Sequence, residues 1–122
     1  MENERKIWLL ARNEANRTLL GRFIRSKGFG VLELGSEEDF DRAVSDGADA
    51  ELVLIDLSGF PSTVLEKAGR LRQRNIPFVL ISTREESTRV QAAGHRHGAT
   101  QTLVKPLSKS VLEAILEGLS ED

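Results

Sequence analysis

The chain has 122 residues, a length that suits one domain with a single core. It carries 17 basic and 19 acidic residues, a net charge of -2, which argues against direct binding of nucleic acid or an anionic membrane. The absence of cysteine excludes disulfides and thiolate metal sites and fits a cytoplasmic location. The short charged segment before the first apolar run leads us to expect no signal peptide, and no apolar stretch of the sequence reaches the length of a membrane span. We therefore predict one cytoplasmic domain over residues 1–122, with 118–122 as a tail or the start of a linker.

Five short apolar runs predict five β-strands. Continuous runs of this length are typical of strands that are buried on both faces, whereas shorter or more polar runs are typical of edge strands. The three continuous runs are Ile7–Ala11, Leu52–Leu57 and Phe78–Ile81, and the two weaker ones are Val31–Leu34 and Thr102–Val104.

Segments with helical periodicity separate these runs and predict five helices. The first helix has Ala15, Leu19, Phe23 and Ile24 on one face and ends near Gly28. The second opens at Ser36, and the third has Pro61 in its first turn. The fourth spans about Glu85 to His97, and the fifth starts from a cap at Ser108. The fourth helix has only Val90, Ala92 and Ala93 as apolar residues, so we expect it to pack weakly.

Strict alternation of strands and helices predicts an α/β fold, a doubly wound parallel sheet of five strands in the order 2-1-3-4-5, as in flavodoxin-like (βα)5 proteins. In such sheets, ligands bind at the carboxyl ends of the strands. Asp56, Ser82 and Lys105 end the third, fourth and fifth strands, so we expect them to meet. Alone, Asp56 could equally cap a turn, but a buried carboxylate needs a partner, and Lys105 can supply one.

With these residues in place, the sequence resembles the receiver domains of two-component response regulators over essentially its whole length. The matching segments are Leu10–Arg12, Arg17, Leu19–Leu20, Gly28–Phe29, Ile55–Asp56, Pro77–Ser82, Gly98–Ala99 and Leu103–Pro106. The resemblance implies that Asp56 is the phosphoacceptor position and that Ser82 and Lys105 are the positions that contact the phosphoryl group.

Two departures from the family pattern affect the site. Ala11 and Arg12 replace the acidic pair that holds Mg²⁺ in the family, and neither side chain supplies an oxygen ligand. Thr102 replaces the aromatic residue that moves on activation. We therefore expect no cofactor, with Mg²⁺ binding in doubt, and a pseudo-receiver variant of the domain.

Arg12 and Glu14 each leave two alternatives open. Arg12 either occupies the metal position and pairs with Asp56, or points to solvent. Glu14 either reaches the cleft or is an acidic residue favoured near the start of the first helix.

The functional prediction is a non-enzymatic receiver-like domain of a two-component phosphorelay, acting as a protein–protein regulatory module. The alternative is a receiver that still accepts phosphate on Asp56 from a histidine kinase. The expected partner is a histidine kinase or a covalently linked output domain, bound through the fourth helix, fifth strand and fifth helix, with a homodimer as a further candidate. An unrelated enzyme or nucleotide binder has no support, since no strand is followed by a phosphate-binding glycine loop.

Overall fold

The computed structural model describes residues 5–120, in which five strands and five helices alternate. The strands are β1 (Lys6–Leu10), β2 (Gly30–Leu34), β3 (Leu52–Asp56), β4 (Phe78–Ser82) and β5 (Gln101–Val104). The helices are α1 (Glu14–Ser26), α2 (Glu37–Ser45), α3 (Thr63–Gln73), α4 (Ser87–His97) and α5 (Lys109–Ser120). Within the described part of the chain, no helix is long and apolar enough to cross a membrane.

The strands form one parallel sheet in the order β2-β1-β3-β4-β5, which confirms the predicted fold. β3 and β4 are buried along their whole length, while β2 and β5 lie at the edges, as the apolar runs indicated. Two strands end one residue earlier than predicted, β1 at Leu10 and β3 at Asp56. Ala11 and Leu57 therefore follow the strands, in the loops at the carboxyl edge of the sheet.

The alternating side chains of β1 supply two separate hydrophobic layers. Trp8 and Leu10 pack in the layer that α2, α3 and α4 cover, and Ile7 and Leu9 pack in the layer under α1 and α5. All four side chains are inaccessible to solvent. Burial of each large apolar side chain stabilises a fold by about 1.5–3 kcal/mol, so the two layers hold the helices firmly on the sheet and fix the loops at its edge.

Side-chain caps fix where the helices begin. The predicted caps at Ser36 and Ser108 are formed, since the Ser36 hydroxyl accepts from the Asp39 N–H at 3.0 Å and the Ser108 hydroxyl from the Val111 N–H at 3.2 Å. Asn13 caps α1 in the same way, with its Oδ1 2.8 Å from the backbone nitrogen of Asn16. The cap at Asn13 starts α1 directly after the carboxyl end of β1 and so sets which side chains of α1 face the sheet edge.

The predicted inner face of α1 is partly wrong. Leu19 is 64% exposed and Ala15 is also exposed, whereas Gly21 and Ile24 are buried. The face that packs on the sheet is centred on Leu20 and Ile24, and Leu19 lies about 100° away from Leu20 around the helix. Leu19 therefore presents an apolar side chain to the surface.

Helix α4 packs through small residues. Val90, Ala93 and Gly94 are buried, while Ala92 is exposed. A Cβ atom added to Gly94 would lie 2.8 Å from Cγ2 of Thr102 on β5, closer than real Cβ contacts allow. The glycine therefore permits a close approach of α4 to β5, directly over the predicted switch position at Thr102.

Candidate functional site

The centre of the site is the carboxylate of Asp56, at the carboxyl end of β3. Only 4% of the residue is exposed, so its charge must be compensated within the protein. Oδ2 lies 2.7 Å from Nζ of Lys105 and accepts a hydrogen bond from Nδ2 of Asn16 at 3.2 Å. Oδ1 accepts from the backbone N–H of Ser58 at 3.0 Å. Three donors from three parts of the chain thus hold both oxygens of the carboxylate.

Lys105 reaches Asp56 from the loop that follows β5. Its backbone N–H donates to the carbonyl of Ser82 at 2.9 Å, which continues the β4–β5 pairing past the end of β5. Its ammonium group also donates to Oγ of Ser58 at 3.0 Å. The side chain is 33% exposed, so water partly screens its attraction to Asp56. Lys105 nevertheless joins the loops after β3 and β5 through one cationic group.

Ser82 meets this pair only through its backbone. The residue is buried at the end of β4, and its Oγ donates to the carbonyl of the next residue, Thr83, at 3.1 Å. The expectation that Asp56, Ser82 and Lys105 meet therefore holds for the Asp56–Lys105 ion pair. The Ser82 hydroxyl is instead engaged by its own loop.

Of the two alternatives left open for Arg12, the structure supports the second, in which the side chain points away from Asp56 and toward solvent. Arg12 is exposed, and Nη1 donates to the carbonyl of Gly59 at 2.9 Å. Within residues 5–120, no acidic oxygen lies within 4.0 Å of its guanidinium. The physical reason is local: Gly59 has φ +83°, and a Cβ there would lie 3.0 Å from Cδ of Arg12, so the arginine folds over a bare glycine in the β3–α3 loop.

A second arginine occupies the carboxyl end of β1. Nη1 of Arg17 donates to the carbonyl of Ala11 at 2.7 Å, and Nε lies 3.8 Å from Oε1 of Glu33. The side chain of Arg17 is only 17% exposed, which holds its charge close to the strand end. At the two positions where an acidic pair was expected for the family, the structure thus has an alanine whose carbonyl is already bonded to a guanidinium and an arginine bonded to a neighbouring loop.

The remaining predicted positions lie outside the Asp56 contacts. Thr102 is half-buried on β5 and packs against Gly94 of α4. Glu14 is exposed in the first turn of α1, where an acidic residue is favoured by the helix dipole. In the described part of the chain, no three His, Cys, Asp or Glu side chains are grouped so that they could hold a metal ion.

Sequence reasoning missed Asn16 and Ser58, although both left a signal. Ser58 lies two residues after Asp56, the spacing at which an aspartate side chain accepts from the backbone in an Asx turn. Asn16 precedes Leu20 by four residues, so it extends the inner face of α1 with one polar side chain at the sheet edge. A polar residue at that place in an apolar helix face indicates a polar partner on the sheet.

Solved structures of response regulator receiver domains share this fold. A receiver domain protein (CheY-like) from Methanospirillum hungatei JF-1 superimposes with a TM-score of 0.82 at 20% identity, over 98% of this chain and 96% of that chain. A response regulator protein from Burkholderia multivorans gives a TM-score of 0.79 at 29% identity, over 98% of both chains. The N-terminal domain of a response regulator/sensory box/GGDEF 3-domain protein from Carboxydothermus hydrogenoformans gives 0.79 at 20% identity, over 94% of this chain and 93% of that chain.

Comparison of sequences alone finds less: no protein-family model and no curated protein matches the chain. The structural neighbours show that the chain has the receiver-domain fold of two-component response regulators, with five parallel strands in the same order.

Double-mutant cycles should separate the two cations near Asp56. Asp56→Asn and Lys105→Met should each lower the free energy of unfolding, because each leaves one member of the buried pair without its partner, and their coupling should be about 1–2 kcal/mol. Asp56→Asn and Arg12→Ala should be additive within about 0.5 kcal/mol. Urea unfolding of the single and double variants measures both couplings.

Asp49→Asn is the matched control, because the Asp49 side chain is fully exposed and its ion pair with Arg74 is long, 3.7 Å from Oδ1 to Nη2. It should leave stability unchanged. Equal coupling of Asp56 to Arg12 and Lys105, or no coupling to Lys105, would contradict the contacts described above.

Proposed function

We propose that this chain is a receiver-type regulatory module of two-component signalling that works through protein–protein contact rather than through Mg²⁺-dependent phosphorylation. One observation carries the proposal: Lys105, Asn16 and the Ser58 N–H are the partners of the two carboxylate oxygens of Asp56. In such a module, side chains of the same domain compensate the charge of Asp56, and the contact with a partner does not require phosphorylation of Asp56.

The residues at the end of β1 do not fit Mg²⁺. The ion takes six oxygen ligands in near-octahedral geometry, commonly including one or two carboxylates. Here Ala11 offers a methyl group, its carbonyl already accepts from Arg17, and Arg12 adds a second positive charge. Phosphoryl transfer relies on a metal to neutralise the charge that develops on the phosphate, so the misfit removes the usual means of phosphorylating Asp56.

The second candidate function is a receiver that accepts phosphate on Asp56 from a histidine kinase. It is favoured by the incomplete hydrogen bonding of Oδ1, which accepts only from the Ser58 N–H, and by the 33% exposure of the Lys105 side chain. Lys105 could then compensate the phosphoryl charge in part, as its position in the receiver fold implies. This candidate needs a kinase that supplies what the missing metal would provide.

The proposed partner is a histidine kinase, an output domain on the same chain, or a second copy, and the proposed contact face is α4, β5 and the outer side of α5. The structural neighbour from Carboxydothermus hydrogenoformans is one domain of a three-domain protein, which fits a linked output domain. α4 also leaves much of its surface uncovered; its exposed residues are Thr88, Arg89, Gln91, Ala92, His95 and Arg96.

Mg²⁺ titration tests the central part of the proposal. Millimolar Mg²⁺ should leave the melting temperature of the parent unchanged, because a ligand that does not bind the native state cannot stabilise it. Arg12→Asp should gain a small Mg²⁺-dependent rise, since it restores one carboxylate, and its affinity should stay weak because Ala11 remains. Arg96→Asp, the same charge change on exposed α4, should show none. A saturable rise in the parent would favour the phosphorylation-competent receiver.

Hydrogen exchange tests the proposed contact face. Amides of α4 should exchange faster than those of α1, because α4 packs through small side chains. Gly94→Ala should accelerate that exchange and lower stability by about 1–3 kcal/mol, since the added methyl meets Thr102 at 2.8 Å. In the control Gly118→Ala, the methyl meets no described atom within 4 Å, so α4 should be unaffected. Exchange in α4 as slow as in α1 would count against a mobile face.

A further inference from the structure

A groove of about 960 Å³ lies on the α1–α5 side of the sheet edge, between α1, the β4–α4 loop, the β5–α5 loop and α5. Most of its wall is apolar. The apolar lining residues are Leu19, Leu20, Phe23, Ile81, Pro106, Leu107 and Leu112. One end of the groove opens on Asn16, Asp56, Thr83 and Lys105, so it joins an apolar body to the polar site described above.

Leu19 places a large, solvent-exposed apolar side chain on the wall of this groove. It is 64% exposed, and Val111 at 41% is the other large apolar side chain exposed in the described part of the chain. Leu19 and Phe23 lie one turn apart on α1 and line the same groove. Exposed apolar surface costs about 25 cal/mol for each Å², and here it lines a concavity that an apolar ligand can fill.

Three cations surround the apolar wall from three sides: Arg22 from α1, Arg84 from the β4–α4 loop and Lys109 from α5. Among residues 5–120, none of them has an acidic oxygen within 4.0 Å. The acidic lining residues are Glu85 and Asp56, and Asp56 is already paired with Lys105. The lining is therefore positive, although the whole chain carries -2.

We propose that this groove binds a small amphipathic anion, a carboxylate on an apolar body. The volume of the groove falls in the range of about 300–1,000 Å³ that is typical of small-molecule sites. Its lining, mostly apolar with a few charged groups, is also typical of such sites. The apolar body contacts Leu19 and Phe23, and the carboxylate pairs with the cations that line the groove, Arg22, Arg84 and Lys109. The cations of the lining favour a negatively charged ligand, and the apolar wall favours one with an apolar body.

The site goes beyond the proposed function, because it requires neither a partner protein nor a particular state of Asp56. It also gives the module an input. A ligand that fills the groove lies against the loop that carries Lys105, and Lys105 is the residue that holds Asp56. Binding of such an acid therefore acts on the loop that carries Lys105, the partner of Asp56.

Decanoate and its uncharged analogue decanamide are the probes, both kept below their aggregation limits. Calorimetry measures affinity, and ¹H–¹⁵N NMR locates the site. Decanoate should bind and shift the amides of residues 16–26 and 105–112. Decanamide should bind at least about tenfold more weakly, because it loses the charge-assisted hydrogen bonds. Raising salt from about 20 to about 300 mM should weaken decanoate and leave decanamide unchanged.

Matched variants assign the two parts of the site. Leu19→Ala should weaken decanoate about three- to tenfold, whereas Val111→Ala, the other exposed apolar helix residue, should not. Arg22→Glu should weaken decanoate about tenfold and leave decanamide unaffected, whereas Arg96→Glu, an unpaired exposed arginine on α4, should change neither. All four positions are exposed, so the variants keep the core intact.

Three results would overturn the inference: no decanoate binding up to about 1 mM, equal affinity for both probes, or shifts that map away from the groove. Loss of binding in Val111→Ala or Arg96→Glu to the same degree as in the groove variants would also overturn it, because binding would then be non-specific. None of these results bears on Mg²⁺ binding, so the groove and the proposed function fail separately.

Discussion

The ion pair between Asp56 and Lys105 is the constraint on which the rest of the site depends. Burial of a carboxylate whose side chain is 5% exposed is costly unless its charge is paired, and Lys105 supplies a partner at 2.7 Å. The pair ties the end of β3 to the loop after β5, and Ser58 receives a second bond from the same ammonium group. Asn16 adds α1 to the arrangement through its amide. One buried charge thus joins two loops at the carboxyl edge of the sheet, those after β3 and β5, to helix α1.

The arginines at the end of β1 determine what this arrangement can do. Arg17 donates to the carbonyl of Ala11 and lies 3.8 Å from a carboxylate oxygen of Glu33, and Arg12 donates to the carbonyl of Gly59. The two residues that follow β1, Ala11 and Arg12, therefore offer no carboxylate beside Asp56. Within a fold shared with response regulator receiver domains, these local bonds are the basis on which we propose regulation by contact, and the adjoining groove is the basis on which we propose a ligand.

The sequence predicted the fold and the main ion pair because both follow from rules that act over short distances. Continuous apolar runs specify buried parallel strands, and strand ends in such a sheet must meet at one edge, which brings Lys105 to Asp56. The orientation of Arg12 could not be predicted from the strand pattern, because a long exposed side chain can reach several acceptors. The acceptor that it contacts, the carbonyl of Gly59, is a backbone atom of another loop. The exposure of Leu19 was missed because neighbouring residues of a helix lie about 100° apart, so a buried face centred on Leu20 and Ile24 leaves Leu19 at the surface.

We proposed that the charge of Asp56 is compensated by side chains of the protein and that Asp56 is not phosphorylated with Mg²⁺. The most direct test is intact-mass spectrometry after incubation with a small phosphodonor and Mg²⁺. We expect an unchanged mass for the parent chain, because Lys105 and Asn16 occupy Oδ2 of Asp56 and, among residues 5–120, no three His, Cys, Asp or Glu side chains are grouped to hold a metal ion. A phosphate-sized gain in mass that disappears in Asp56→Asn would contradict the account and establish a phosphorylation-competent receiver.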